Sequence, residues 1–419
     1  MFNEMIVSLE TCEPQLEELG AMILGPWGRI WGRLIQQGNF VLYMPVALLI
    51  CAQAFQGYLE PSGETCVDYV ILGVSTVCLL LTQFRGLGGR AAAILSWISL
   101  ACVAVVVALL VVVVDETDAD GRSSRKFGNS EMFSSRFVKR QRGFAKICLG
   151  ASTTAWAFVP TFLSVELSRA LEKPREDFAK ALWLSAGLNI GVYVGVGVYV
   201  VRKWGWDVTD PLMTTEDLWP ARSNKSRALY FFWFVATAIS YAFTSLALTA
   251  ACQKRWRPDF DVADWSLRGC ATWFFLGLPG FLVALVLALV VPSLFAMLAV
   301  TTALTVPWVN HVYPAILYYK FSKQRRAPKQ DDAFSYRDLS VSSVALDDRR
   351  PDDDYKNKRN PIIAAVRPNV LAAVVFTVGV IVFGACAYGA SLKLADHQLR
   401  GAVEIGCPAW YLFEDDKAD

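Results

Sequence analysis

The sequence from residue 271 to residue 319 reads ATWFFLGLPGFLVALVLALVVPSLFAMLAVTTALTVPWVNHVYPAILYY and contains no Asp, Glu, Lys or Arg. As one α-helix this stretch would measure roughly 73 Å at about 1.5 Å per residue. A bilayer core of about 30 Å is crossed by about 20 residues. The stretch therefore predicts two membrane spans. We expect the chain to turn between them at Val291-Pro292-Ser293, because proline breaks a helix.

The same pattern of long apolar blocks repeats outward along the chain in both directions. Hydrophobic residues make up 54% of the sequence and charged residues only 19%, whereas about 25% charged residues are usual in soluble domains. The pattern predicts an all-α membrane protein with about nine transmembrane helices. The predicted spans are 40–59, 67–83, 91–114, 144–167, 181–201, 229–252, 270–291, 293–319 and 368–391.

Composition and motifs exclude several other classes of protein. The net charge of +2 gives no reason to expect a nucleic-acid partner. The ten cysteines form no CxxC pair and the chain has only two histidines, so we predict no metal site. The spans contain no HExxH motif and no clustered carboxylates, which argues against an enzyme.

Lysine and arginine are more frequent in the loops that would share a side with the N-terminus, which favours a cytosolic N-terminus. A basic cluster at 122–142 opposes this orientation. The predicted organisation is a cytosolic N-terminal segment over 1–39, transmembrane helices one to eight over 40–319, a disordered cytosolic loop over 320–367, a ninth transmembrane helix over 368–391 and an extracytosolic tail over 392–419.

The loop 320–367 is long, polar and rich in charges of both signs. Such a composition cannot bury enough apolar surface to fold, so we expect this loop to be disordered. It would serve either as a solvated linker or as a docking segment for a cytosolic partner.

The fourth predicted span contains a proline, Pro160, which removes a backbone donor within the helix. Either the helix only kinks there, or it breaks into two halves that expose polar backbone groups in the membrane. In a broken helix, the N-terminus near Thr161 would attract a carboxylate. Glu166 would face the bundle interior, or lie near the membrane edge paired with Arg169.

Three further spans carry notable residues. The fifth has Gly187, Gly191 and Gly195 on one face, a pattern typical of close helix packing. The hydroxyls of the sixth span would hold a small cation, or would bond to carbonyls of their own helix; they include Ser240, Thr244 and Ser245. In the eighth span a histidine would either carry a proton or be a structural residue; this span contains Pro307, Asn310, His311 and Pro314.

Several segments, taken in order, resemble the amino acid/auxin permease family of amino acid transporters. The segment FVPTFLSVELSRALEKPREDFAKALWLSAGLNIGVYVGVGVYVVRKWG, residues 158–205, is similar to that family's sixth and seventh helices. LTVPWVNHVYPAILYYK, residues 304–320, resembles its tenth helix. ELGAMILGPWGRIWGRLIQQG (18–38) resembles the entry to its third helix, and QFRGLGGRAAAILSWISL (83–100) the connection between its fourth and fifth.

The resemblance implies a five-plus-five inverted-repeat transporter fold that is only partial here. The predicted spans correspond to the family's third to eleventh helices, and its first two helices are absent. We expect a sequence that lacks its true start; the alternative is a degenerate member that does not transport.

The resemblance also implies roles for individual residues. Phe158 would gate the substrate site, and Val159, Pro160 and Thr161 would present backbone groups to the substrate. Glu166 would orient or neutralise the second half-helix. Ser240, Thr244 and Ser245 would lie near an ion position.

The resemblance thus implies a secondary active amino acid transporter, or a fragment of one, that works by rocking of one helix bundle against the other. Coupling would be to H⁺ or Na⁺, with no other cofactor. The expected partners are an amino acid, membrane lipids and a cytosolic protein at 320–367. The expected location is the plasma membrane or a vacuolar or endolysosomal membrane. The alternative is a non-transporting membrane receptor or scaffold derived from such a transporter.

Overall fold

The computed structural model describes residues 16–59, 67–85, 90–119, 174–204, 224–262, 264–291, 294–326 and 368–399. Every regular element in these ranges is helical, so the predicted all-α class is confirmed for the described residues. The helices are α1 Leu16–Leu24, α2 Pro26–Leu59, α3 Val67–Leu81, α4 Arg90–Ala119, α5 Pro174–Trp204, α6 Asn224–Trp256, α7 Leu267–Val290, α8 Leu294–Pro307, a π-helical segment Trp308–Val312, α9 Tyr313–Arg326 and α10 Pro368–Leu399.

Each predicted span except the fourth corresponds to described helical residues, whereas 144–167 lies outside the described residues. Among the described residues, six helices are long and apolar enough to cross a membrane, namely α2, α4, α5, α6, α7 and α10. Helix α7 ends at Val290 and α8 begins at Leu294. Of the residues at the predicted turn, Pro292 and Ser293 lie outside the described residues.

Some helix ends differ from the predicted spans. Helix α2 begins at Pro26 rather than near residue 40, because its polar first half is packed against protein: Gln36 and Asn39 are both buried. Hydropathy alone cannot detect a buried polar turn. Helix α9 continues to Arg326 and α10 to Leu399, so both helices extend into the predicted loop and tail. Residues 327–367 and 400–419 lie outside the described residues.

Helices α1 and α2 form a tight hairpin. Gly25 joins them with a φ of 73°, a conformation that suits glycine because it has no Cβ. The Gly25 N–H donates to the Ala21 carbonyl at 2.9 Å and closes α1. Pro26 then starts α2, where its missing N–H costs nothing. A salt bridge between Arg33 and Glu17, 2.6 Å long, joins the two helices further along.

The main core surrounds the middle of α2, which contacts α3, α6, α7 and α8. Its largest fully buried side chains include Phe40, Met44 and Leu48 on α2, Ile71 on α3 and Tyr241 on α6. A second cluster joins α1 to α9 and α10 through residues such as Leu19 and Leu317. Between apolar helices in a bilayer such contacts stabilise by close packing, because lipid tails are as apolar as the side chains.

Large apolar side chains also point away from the described part of the protein. On α5, Trp183 and Leu184 are 74% and 66% exposed, and on α10 Ile381 is 65% exposed. Large apolar side chains that are exposed to this extent are unfavourable in water when they lie together. They are the expected outer surface of helices that lie in lipid.

A polar cluster fixes the end of α3 against the loop that joins α6 to α7. The Trp273 indole N–H of α7 donates to the Thr82 carbonyl at 3.1 Å, and the Arg85 guanidinium lies 4.8 Å from the centre of the Trp265 ring. Arg85 also donates to the Asp264 carbonyl. Ser266 caps α7 by accepting the Gly269 N–H at 3.0 Å.

The Asp264 carboxylate accepts hydrogen bonds from the Ser266 N–H and the Ser266 hydroxyl, each 2.9 Å long. These bonds favour the ionised form and hold the pKa of Asp264 below its ordinary value, with a smaller contribution from the positive charge of Arg85. The loop therefore has its best hydrogen-bonding pattern when Asp264 is charged.

Candidate functional site

Polar groups meet in the interior where α2 lies between α6 and α8. We call the group made of Asn39, Tyr43, Ser240, Thr301 and Thr305 the polar seam. The Tyr43 and Ser240 hydroxyls lie 2.9 Å apart and hydrogen-bond across the α2–α6 contact. In a membrane such a bond is a specific tie between helices, because no water is available as an alternative partner.

On the other side of α2, the seam is tied to α8 through the backbone. The Thr301 hydroxyl donates to the Leu42 carbonyl at 3.2 Å. Pro45 explains why polar backbone is accessible there: it has no N–H to donate to the Val41 carbonyl, and its ring pushes against the preceding turn. Leu42 follows Val41 directly, so the bond from Thr301 reaches α2 where its backbone hydrogen bonds are weakened.

The structure defines side-chain hydrogen bonds for Ser240 and Thr244, two of the residues predicted to lie near an ion. Ser240 pairs with Tyr43, and the Thr244 hydroxyl donates to the Ser240 carbonyl of its own helix at 3.0 Å. Ser245 is buried, and its carbonyl accepts the Thr249 hydroxyl at 2.8 Å. Bonding to the helix's own carbonyls is the alternative that sequence reasoning left open. An ion position at these residues stays a prediction.

An open cavity of about 170 Å³ lies between α2 and α8, next to the seam. Asn39 lines this cavity; it is only 1% exposed, and its Oδ1 atom has no hydrogen-bond partner in the described part of the chain. A buried amide oxygen without a donor is unfavourable, so the site favours an occupant that brings one. The remaining lining is Trp31, Leu34, Ile35, Gly38, Leu42, Leu304, Thr305 and Trp308.

The eighth span contains a backbone irregularity that the sequence did not reveal. After α8 the chain forms a π-helical turn over Trp308–Val312, and the Tyr313 N–H donates to the Trp308 carbonyl five residues earlier. Single π turns are rare and are often found at functional sites. Two prolines, Pro307 and Pro314, lie at the ends of this segment. Their spacing around Asn310 and His311 is the one sequence pattern that could have indicated it.

The π segment packs closely on α10. A Cβ atom built on Gly379 would lie 2.7 Å from the His311 Cβ, so only glycine allows this approach. The Trp308 and Phe383 rings also meet edge to face, with centroids 5.9 Å apart. The His311 Nδ1 atom is buried and has no hydrogen-bond partner among the described residues.

The remaining predicted site residues all belong to the fourth predicted span. Phe158, Val159, Pro160, Thr161 and Glu166 all lie outside the described residues.

The glycine stripe of α5 is described, but a Cβ built on Gly187, Gly191 or Gly195 meets no atom within 4 Å there. Its packing role stays a prediction. Within the described ranges, no group of three or more His, Cys, Asp or Glu side chains is placed to hold a metal ion.

The family described as Transmembrane amino acid transporter protein matches residues 9–337. The match covers α1 to α9, and so includes both helices of the hairpin, the polar seam and the π segment. No curated protein matches the chain.

Proposed function

We propose a secondary active transport function for this chain, which belongs to the transmembrane amino acid transporter family. That family is one of transporters and not of enzymes. The chain would couple the movement of an amino acid to the movement of H⁺ or Na⁺. As a member of this family it is an integral, multi-pass membrane protein with an amino acid substrate. We propose the coupling ion and the roles of individual residues in addition to this.

The polar seam is the observation that carries this proposal. It places hydroxyl, amide and backbone carbonyl groups between membrane-spanning helices, where polar groups are costly unless they have a function or a partner. The seam joins α2, α6 and α8, and the Asn39 Oδ1 atom at the adjoining cavity accepts no hydrogen bond from the described residues. A zwitterionic amino acid has an ammonium group that can donate to such an acceptor.

We propose that the seam forms one wall of the substrate pathway. From the resemblance in sequence we also propose Phe158 as the gate of the substrate site, Val159, Pro160 and Thr161 as backbone ligands, and Glu166 as the residue that orients or neutralises the second half-helix. Ser240, Thr244 and Ser245 are the proposed neighbours of the coupling ion.

The cellular setting is also part of the proposal. The transporter would act in the plasma membrane or in a vacuolar or endolysosomal membrane. The polar segment 320–367, with its dense mixed charge, would remain in the cytosol and bind a cytosolic partner.

Reconstitution into liposomes tests transport directly. Purified protein in vesicles should exchange an external radiolabelled amino acid for the same amino acid inside, with each common amino acid tried in turn. A pH or Na⁺ gradient should then drive accumulation. Asn39→Leu, which keeps a similar side-chain size but removes the acceptor, should raise the KM for uptake. Absence of both exchange and accumulation for every amino acid would favour the receptor or scaffold alternative instead.

A matched control separates the seam from general damage to the bundle. Thr249→Val removes a buried hydroxyl on α6 that bonds only within its own helix in the described structure. It should change uptake far less than Asn39→Leu. Equal losses in both variants would contradict a specific role for Asn39.

A further inference from the structure

A second cavity lies where the end of α3 meets the first turn of α4 and the loop between α6 and α7. Its volume is about 60 Å³, much smaller than the cavity of about 170 Å³ beside the polar seam. It therefore admits only a small chemical group. Among the described residues that line it, Arg85 is the only charged one. The others are Phe84, Ala91, Ala92, Leu95, Phe243, Leu246 and Trp265.

Neighbouring groups hold the Arg85 guanidinium in place without pairing it directly with a carboxylate. The guanidinium donates to the Asp264 carbonyl, and its central carbon lies 4.8 Å from the centre of the Trp265 ring. The Asp264 carboxylate accepts from Ser266 rather than from Arg85 in the described structure. The Arg85 Nε atom is buried and has no hydrogen-bond partner among the described residues. Because an unpaired buried donor is unfavourable, the guanidinium favours an occupant that brings an anionic acceptor.

The backbone of α4 adds to the same preference. Helix α4 begins at Arg90, and Ala91 and Ala92 of its first turn line the cavity. The first N–H groups of an α-helix have no carbonyl partner within the helix, and they carry partial positive charge. An oxyanion in the cavity would therefore accept hydrogen bonds from the first turn of α4 as well as from Arg85.

Apolar surface extends from the cavity along α4, which continues as the third predicted span. Ile94, Trp97 and Ile98, on the next turns, are 58%, 71% and 42% exposed in the described structure. Trp265, at the cavity itself, is 66% exposed, and tryptophan is enriched where a protein meets the boundary between lipid and water. A ligand with its acidic group in the cavity would thus lay its remaining part on apolar surface.

The charge on this side of the protein suits an anionic lipid. Between residues 254 and 268 the chain has four basic residues and three aspartates, and Arg85 adds a fifth positive charge, which leaves an excess of two. The charged residues of this loop are Lys254, Arg255, Arg257, Asp259, Asp261, Asp264 and Arg268. The orientation predicted from the sequence places the loop in the cytosol, and the cytosolic leaflet is the one with a negative surface potential from anionic lipids.

We propose that this cavity binds the phosphate group of an anionic phospholipid from the cytosolic leaflet. Arg85 and the first turn of α4 are the ligands of the phosphate, and the acyl chains lie along the exposed face of α4. The lipid bridges the end of α3 and the beginning of α4. Its site shares no lining residue with the cavity beside the polar seam, and the proposal does not depend on the transport function.

Lipid binding by the purified chain in detergent tests the proposal with a matched pair of variants. The protein is titrated with phosphatidylglycerol or with phosphatidylcholine, and native mass spectrometry measures the bound lipid. The wild type should prefer phosphatidylglycerol, and Arg85→Gln should weaken its binding about fivefold, the effect of one basic residue near a membrane surface. Arg29→Gln removes the same charge from an exposed position on α2 and should bind as the wild type. Equal weakening by both variants would indicate only a general attraction and would overturn the proposal.

Two measurements on the wild type cover the case in which Arg85→Gln does not fold. Phosphatidylglycerol with a photoreactive headgroup should label the peptide that contains residues 84–95, and labelling confined to other peptides would overturn the proposal. Glycerol 3-phosphate in solution should not displace the bound lipid at equal concentration. Displacement would show that a soluble phosphate, rather than a lipid, is the ligand of the cavity, and would also overturn the proposal.

Discussion

The Tyr313 hydroxyl donates a hydrogen bond of 2.7 Å to the Gly28 carbonyl, and so ties α9 to the backbone of the α1–α2 hairpin. Tyr313 is 3% exposed and begins α9 directly after the π segment. Gly28 lies in the first turns of α2, in contact with α1. A buried hydrogen bond therefore links the hairpin to the helix that directly follows the π segment.

Tyr313→Phe should destabilise the protein by about 1 kcal/mol, because it removes this bond and leaves the ring in place. The control is Tyr319→Phe on the same helix, where the side chain is 46% exposed. Unfolding measured by titration of a denaturing detergent into mixed micelles should separate the two variants. Equal stability of both would show that the bond contributes nothing.

Gly28→Ala should be more damaging, because a Cβ there would lie 2.1 Å from the Gly20 carbonyl oxygen. Backbone cannot move aside cheaply, so we expect a loss of about 1–3 kcal/mol, typical of overpacking. Gly38→Ala on the same helix is the control, since no atom lies within 4 Å of its Cβ position. Thermal midpoints of both variants in one lipid nanodisc give the comparison, and a Gly28→Ala midpoint as high as that of Gly38→Ala would contradict the packing.

The hydrogen bond between Tyr43 and Ser240 should appear as a coupling in a double-mutant cycle. Tyr43→Phe and Ser240→Ala each remove one partner, and the coupling energy should be about 0.6 kcal/mol, the average for such bonds in membranes. Thr244→Ala should show no coupling to Tyr43→Phe, because the Thr244 hydroxyl bonds within α6. Additive effects of Tyr43→Phe and Ser240→Ala would mean that the two hydroxyls do not interact.

Ser266→Ala should cost about 1 kcal/mol of stability, because Ser266 caps the first turn of α7. Ser266→Thr should restore most of the loss, since its hydroxyl can also accept from the Gly269 N–H and donate to the Asp264 carboxylate. The measurement is again the thermal midpoint in nanodiscs. A failure of Ser266→Thr to recover stability would argue against a capping role for the hydroxyl.

Asp264 should make stability depend on pH in the acid range. Its pKa is lower in the folded protein than in the unfolded chain, so its contribution is fully present above the ordinary aspartate pKa of about 3.9 and is lost as the pH falls through the folded value. The midpoint difference between the wild type and Asp264→Asn should stay constant near neutral pH and shrink below about pH 4. A difference that grows on acidification would have the wrong sign for this hydrogen-bonding pattern.

The apolar blocks predicted the positions of most helices because each block must cross the same thickness of hydrocarbon. They could not show that α2 begins at Pro26, since Gln36 and Asn39 are polar and their burial depends on neighbouring helices. They also gave no sign of the α1–α2 hairpin, which depends on a positive φ at Gly25 and on close backbone contact.

The candidate site was predictable only where a residue type is costly in a membrane. His311 and the flanking prolines were noted from the sequence, but the π turn itself requires a neighbour as small as Gly379, far away in the chain. The pairing of Tyr43 with Ser240 likewise joins residues that no local pattern relates. Thr244 follows a local rule, and its bond to the Ser240 carbonyl matches one of the two alternatives drawn from the sequence.

The π turn also sets the azimuth of everything that follows it. Each residue of an α-helix advances the chain by about 100° around the axis, and the π turn accommodates one residue of Trp308–Val312 without that advance. Conversion of these five residues to a regular α-helix, with none removed, would therefore rotate Tyr313 by about 100°, away from the Gly28 carbonyl to which it donates. A change confined to this turn would thereby break a bond that holds α9 to the α1–α2 hairpin.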